Sequence, residues 1–353
     1  MSSSVEKSSN SQSLLSGQNV VYAGIAWSVL ALLFYLLFSI SVPGEERPFW
    51  YSMGTYFFEQ IPFLAAALLC LRNWRSPQIA SGRNVWLGIG LGLLSYFIGN
   101  LLFGWWELYW GLDPAVSPGD FFFVLFYVCL GWGLVLAILP RRLNLEPWQW
   151  ATVIASAVSA IALGVWLLLS APADAQEANA IAARSRSAIA LTPVTQQLSP
   201  NTPSKTFIAQ KAPPVKETPK APAKNAPPAP ANTSKNQPPG WVLSLEKVLE
   251  PLATPLSFFY IAGDVFLLII AALLLLAFWG GRFAQSWRMI AAAAFSFYIA
   301  DMWFTYATDH ITDYQSGFLL EVFWVFSGVL FAIGAALEYD NSIRSRRTGR
   351  KRA

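Results

Sequence analysis

Apolar residues fall in eight long runs along the chain, and the stretches between these runs hold most of the charged residues. The runs are Val20–Val42, Ser52–Leu71, Val85–Glu107, Asp120–Leu139, Trp150–Ser170, Leu256–Trp279, Met289–Ala307 and Phe318–Glu338. Each approaches the ~20 residues that a helix needs to cross a bilayer. The pattern predicts an all-α integral membrane protein with eight transmembrane spans, numbered here one to eight.

A segment of different composition separates span five from span six. Residues 172–240 hold 13 of the 23 prolines, and a Pro-, Ala- and Lys-rich chain buries too little apolar surface to fold. The predicted organisation is a disordered tail (1–19), a membrane domain of five spans (20–171), a disordered extracytoplasmic linker (172–240), an amphipathic interfacial helix (241–255), a membrane domain of three spans (256–338) and a basic tail (339–353).

Basic residues in the short loops predict the orientation. Arg72, Arg75 and Arg83 follow span two, Arg141 and Arg142 follow span four, and Arg282 and Arg288 follow span six. With eight spans, these loops and the basic tail all fall on one side, which the positive-inside rule makes cytoplasmic. The expected location is a bacterial inner membrane with both termini in the cytoplasm, and a linker longer than ~60 residues escapes the rule.

Composition narrows the functional classes. Hydrophobic residues make up 55% of the chain and charged residues 12%, against about 25% charged in soluble domains. The chain has one histidine and no HExxH, GxSxG or P-loop motif, so we expect neither an enzyme nor a nucleic-acid-binding protein. No cofactor or metal is indicated by the residues. The lipid bilayer is the one partner that composition alone predicts.

A few polar residues lie within or beside the spans, where each carries a cost of a few kcal/mol. The candidate ligand-binding set consists of carboxyls, one amide and two indoles: Glu59, Asn100, Asp264, Asp301, Glu107, Asp120, Glu321, Trp105 and Trp303. The predicted topology puts all of the polar members in the outer half of the membrane. We expect Glu59, Asn100, Asp264 and Asp301 to face the bundle interior and share a polar site for a signal or cation.

Structural explanations compete with this interpretation. Asp120 and Glu321 open spans four and eight, so helix capping accounts for them. Inter-helix hydrogen bonding alone would account for Asp264 and Asp301, and an interfacial belt would account for the tryptophans. His310 is interpreted as a solvated loop residue.

Spans three and four resemble spans seven and eight. Asn100 and Asp120 are 20 residues apart, as are Asp301 and Glu321, and aromatic residues cluster between them in both copies. The spacing predicts a parallel 4+4 internal repeat with Asn100 equivalent to Asp301 and Asp120 equivalent to Glu321.

Three stretches resemble the multi-pass sensor module that precedes diguanylate cyclase, phosphodiesterase or histidine-kinase domains in bacterial signalling proteins. The first, GNLLFGWWELYWGLDPAVSPGDFFFVLFYVCLGWGLVL, places Gly99, Asn100, Trp105, Pro114, Ser117 and Asp120 on the module's pattern. The others, YIAGDVFLLII with YIADMWF and YQSGFLLEVFW, place Asp264, Asp301, Tyr314, Gly317 and Glu321. The resemblance implies a sensor of an unidentified signal. Fifteen residues follow Glu338, so we expect no output domain.

Three functional hypotheses follow. The first is a stand-alone membrane sensor or adaptor that acts through a separate cytoplasmic signalling partner. The second is a small ion- or proton-coupled transporter that uses the same acids. The third is an envelope scaffold whose residues 172–240 bind an envelope or cell-wall partner.

Overall fold

The computed structural model describes residues 16–40, 47–112, 116–139, 146–170, 238–278, 284–311 and 314–350, with side chains as far as residue 344. Throughout these ranges the regular structure is helical. Most of the predicted Pro-rich linker and of the predicted N-terminal tail lies outside the described residues, whereas the predicted basic tail is described as far as Arg350. The all-α class is confirmed, and the internal repeat and the disordered linker stay predictions.

Nine α-helices follow one another along the described chain. They are α1 Gly17–Phe38, α2 Phe49–Arg75, α3 Arg83–Trp105, α4 Gly119–Ile138, α5 Pro147–Leu169, α6 Gly240–Leu249, α7 Ala253–Ala277, α8 Ala284–His310 and α9 Val322–Arg350. A π-helical turn, Trp106–Trp110, extends α3, and short 3-10 turns at Glu250–Leu252 and Leu319–Glu321 precede α7 and α9. Eight of the resulting helical segments are long and apolar enough to cross a membrane.

The predicted spans and the observed helices agree in number and order. Differences lie at the ends: α2 continues to Arg75, and α9 runs on past the predicted end at Glu338 to Arg350. Many polar residues have helix propensities as high as those of apolar residues, so a helix can continue beyond its apolar segment. A hydrophobic run in the sequence therefore marks the part of a helix that lies in the lipid and not its full length. The predicted interfacial helix corresponds to α6, which the 3-10 turn joins directly to α7.

Six helices pack in a closed order around the core. Contacts join α2 to α3, α3 to α4, α4 to α7, α7 to α8, α8 to α9 and α9 back to α2. The centre of this ring is aromatic: Phe63, Phe126 and Phe297 are buried, with Tyr96 among them. The two remaining spans pack on the outside, α1 mainly against α9 and α5 mainly against α7.

Glycine sets the separation of α3 and α4, the most closely packed pair. A Cβ added to Gly88 would lie 2.7 Å from the Cα of Gly133, and one added to Gly133 would lie 2.7 Å from the backbone nitrogen of Ile89. Small residues let helix backbones approach within a membrane, where the hydrophobic effect between helices is weak. These two glycines hold α4 where its Tyr127 faces the neighbouring helices.

Large apolar side chains cover the outside of the bundle. On α1, Leu30 and Leu37 are exposed, as are Val158 and Trp166 on α5. An apolar exterior of this extent is stable only in contact with lipid. Together with the eight apolar helices, it makes the chain a multi-pass membrane protein.

Candidate functional site

A single tyrosine joins the two aspartates of spans six and seven. The hydroxyl of Tyr127, on α4, lies 2.7 Å from Oδ1 of Asp264 and 2.7 Å from Oδ2 of Asp301. Asp264 comes from α7 and Asp301 from α8, so one side chain ties three helices together. Tyr127 and Asp264 are 6% and 2% exposed. The two aspartates therefore form a pair within the bundle.

Tyr127 has one hydroxyl proton for its two carboxyl contacts. A phenol donates to one carboxyl at a time, so a second simultaneous hydrogen bond would need a proton on the other carboxyl. Asp301 also accepts a hydrogen bond of 2.6 Å from Nε1 of Trp324. The set of contacts would be complete with one carboxyl of the pair protonated.

Glu59 occupies a separate polar cluster on α2. Its Oε1 accepts hydrogen bonds from the hydroxyl of Tyr96 at 2.7 Å and from the amide of Asn100 at 2.8 Å, both on α3. The side chains of Glu59 and Asn100 are 7% and 8% exposed. Asn100 and Glu59 thus meet as expected for residues that face the bundle interior.

Aromatic rings fill the space between the two clusters. Tyr96 packs against Phe126 and Phe297 with ring centroids 5.2 Å and 5.3 Å away, and Phe126 packs against Tyr127 at 5.1 Å. Glu59 therefore lies in one hydrogen-bonded group and Asp264 and Asp301 lie in another, with aromatic side chains between the two groups.

Asp120 and Glu321 are engaged in the turns before their helices. Asp120 accepts from the backbone N–H of Ser117 at 2.6 Å and from the hydroxyl of Tyr260 at 2.6 Å. Glu321 accepts from the backbone N–H of Gly317 at 2.6 Å and from the hydroxyl of Tyr314. These contacts agree with the alternative that Asp120 and Glu321 stabilise the starts of their helices and do not bind a ligand. Burial and the Glu321 carboxyl raise the pKa of Tyr314, so it keeps the proton that it donates.

The remaining predicted site residues lie apart from the aspartate pair. Glu107 accepts a hydrogen bond of 2.5 Å from Tyr56. Trp105 is 46% exposed and packs against its neighbours in the π-helical turn, and Trp303 packs against Tyr306 and Phe318. The indole that contacts the aspartate pair is that of Trp324. The sequence-based choice of Trp105 and Trp303 followed the repeat pattern, which carries no information on which indole points inward.

The sequence did not identify three residues that contact the acids, namely Tyr96, Tyr127 and Trp324. Tyr96 lies one turn before Asn100 on the same helix face, and Trp324 lies one turn after Glu321, so helical spacing offered a signal for both. Tyr127 offered none, because its partners are 137 and 174 positions away. A buried tyrosine is common in any core.

A third polar cluster lies at the other end of the bundle. We call this end, where Arg72, Arg75, Arg83 and Arg288 lie, the basic end. Glu338 on α9 is 0% exposed and accepts a hydrogen bond of 2.7 Å from the hydroxyl of Ser81. That hydroxyl in turn accepts from Trp86 Nε1 at 2.8 Å. Glu338 was taken as the end of span eight, so its burial was not foreseen.

His310, interpreted from sequence as a solvated loop residue, belongs to α8. Its ring stacks on Tyr306 at 4.6 Å, and both rings stack on Trp166 of α5. In the described ranges, no group of three or more His, Cys, Asp or Glu residues has the arrangement of a metal site.

Comparison of the chain with protein-family models, with curated protein sequences and with solved structures found no match. The geometry of the two polar clusters is therefore the basis for any functional statement.

Proposed function

We propose that the protein is a membrane sensor or adaptor that acts through partners, and that the Asp264–Tyr127–Asp301 group is its signal site. The observation that carries the proposal is the shared contact of one tyrosine hydroxyl with the buried carboxyl of Asp264 and the partly buried carboxyl of Asp301, each at 2.7 Å. Such a group holds one proton between two acids. The signal that fits it best is the proton, or a cation that replaces it.

The arrangement supports a response because the group links three helices. When the shared proton leaves, two negative charges face each other across one hydroxyl, and like charges in a water-poor interior repel strongly. Repulsion between Asp264 on α7 and Asp301 on α8 would alter the packing of these two helices and of α4, whose Tyr127 lies between them. A change of packing at the core is the kind of discrete rearrangement that a partner at the basic end could detect.

The test combines infrared spectroscopy with hydrogen–deuterium exchange on the full chain in lipid nanodiscs. Between acidic and alkaline pH, we expect the protein to lose a protonated-carboxyl band, and exchange at the basic end to change in parallel. Asp264→Asn should remove both responses, because an amide forms the same contact without a titratable proton. Asp120→Asn is the matched control, since that acid lies in the first turn of α4, outside the aspartate pair, and should leave both responses intact.

Each outcome decides between hypotheses. If Asp264→Asn and Asp301→Asn fold normally and retain the pH-dependent exchange, the acids are structural hydrogen-bonding groups and the sensor proposal is wrong. A proton flux in proteoliposomes that Asp264→Asn abolishes would replace the sensor with a transporter. A cation as the signal would appear as a shift of the carboxyl band at constant pH.

A further inference from the structure

We propose that the groove between α5, α7 and α8 is a binding site for one anionic phospholipid from the bilayer leaflet at the basic end. The groove has a volume of about 840 Å³. This volume lies in the range of about 300–1,000 Å³ that is typical of sites for small molecules. The aspartate pair and its hydrogen-bond partners are not needed for this inference.

The groove arises because α5 and α8 meet at one end only. At the end away from the basic loops, Trp166 of α5 stacks on Tyr306 and His310 of α8, with ring centroids 5.9 Å and 6.1 Å apart. Midway, the hydroxyl of Tyr298 lies 3.5 Å from the carbonyl oxygen of Ala160. Towards the basic end the two helices diverge, and α7 forms the floor between them.

The walls of the groove suit an acyl chain. Small side chains make it deep, among them Ala155 on α5 and Ala292 on α8. The hydroxyls of Thr152 and Ser156 donate to the carbonyl oxygens four residues earlier on their own helix, each at 2.9 Å, so they need no partner in the groove. Ala155 is exposed on the outer surface of the bundle, so the groove is open towards lipid.

The length and charge of the groove indicate the orientation of the lipid. The ten residue steps along α8 from Arg288 to Tyr298 rise by about 15 Å, which is half of the ~30 Å hydrocarbon core and so one leaflet. Arg288 lines the groove at the basic end, at the level of the headgroups. Basic residues between transmembrane helices bind anionic headgroups. A phosphate therefore lies near Arg288, and a chain extends towards Tyr298.

The experiment measures phospholipids bound to the full chain by native mass spectrometry, with phosphatidylglycerol and phosphatidylcholine of the same chains offered in equal amounts. We expect a preference for phosphatidylglycerol that Arg288→Gln reduces about fivefold, as loss of one basic residue near a headgroup implies. Ala155→Trp should remove the bound lipid, because the indole fills the groove. Arg75→Gln and Val158→Trp are the controls, since neither residue lines the groove, and both should bind as the unmodified protein does.

Three results would overturn the proposal. One is equal binding of both lipids by the unmodified protein, and another is unchanged lipid binding in Ala155→Trp. The third is a dimer that Ala155→Trp dissociates, which would mean that a second copy of the chain fills the groove. If Ala155→Trp does not fold, Ala292→Phe on the opposite wall gives the same test, with the same expected loss of lipid.

Discussion

Replacement of Tyr127 by phenylalanine removes one oxygen atom and leaves the ring that packs against Phe126. The substitution removes two hydrogen bonds at once, since the hydroxyl lies 2.7 Å from Asp264 and 2.7 Å from Asp301. Afterwards Asp301 keeps its contact with Trp324, and Asp264 keeps no hydrogen-bond partner among the described residues. The substitution therefore leaves a buried carboxyl without a partner inside a membrane domain.

The expected cost follows from the number of bonds. Hydrogen bonds between membrane helices contribute about 0.6 kcal/mol on average and at most about 1.7 kcal/mol. Two lost bonds give about 1–3 kcal/mol of destabilisation. Tyr96→Phe is a matched control, because Tyr96 is also 6% exposed but makes one such bond, to Glu59, which keeps Asn100. It should cost about half as much.

The assay is the free energy of unfolding of the full chain in bicelles, measured for both variants and for Asp264→Asn combined with Tyr127→Phe. In the combined variant, the second change should cost less than it does alone, because the bond between these two residues is already altered. If Tyr127→Phe and Tyr96→Phe are equally stable, Tyr127 does not bridge the two aspartates, and the inferred sharing of a proton has no basis.

Two further predictions concern packing and topology. Gly133→Ala should destabilise the protein by about 2 kcal/mol or more in the same unfolding assay, because the new methyl group would lie 2.7 Å from a backbone nitrogen of α3. Gly131→Ala, whose methyl group would meet the ring of Phe266 at 3.0 Å, is the control and should change stability by less than about 1 kcal/mol. A reporter fused after Ala353 should be cytoplasmic. A cysteine in place of Lys220 should react with a reagent added outside the cell. Labelling of that cysteine from the cytoplasm would mean that the orientation is the reverse of the predicted one.

The proposals for signal and lipid rest on different residues, so their tests are independent. The signal site depends on hydrogen bonds near the middle of the bundle, whereas the lipid groove depends on small residues and Arg288 at the basic end. Loss of one response with retention of the other would assign each function to its own part of the protein.

The sequence alone determined the number, order and class of the helices, because insertion of a span in lipid is a local property of about twenty consecutive residues. It also singled out Glu59, Asp264 and Asp301, since a polar residue in an apolar run is visible without knowledge of its neighbours. The role of Asp120 and Glu321 beside the starts of α4 and α9 was readable for the same reason, because each carboxyl contacts backbone only three or four positions earlier in the sequence.

Only the tertiary structure decided which residues surround the acids. The ring of Tyr127 lies against Gly263 of α7, where an added Cβ would be 2.6 Å away, and this close approach next to Asp264 is a fact of packing that no hydropathy pattern contains. The divergence of α5 from α8 likewise depends on contacts at one end of two helices that are more than a hundred residues apart in sequence. Partners this distant are brought together by packing, and packing depends on the shapes of all the side chains at once.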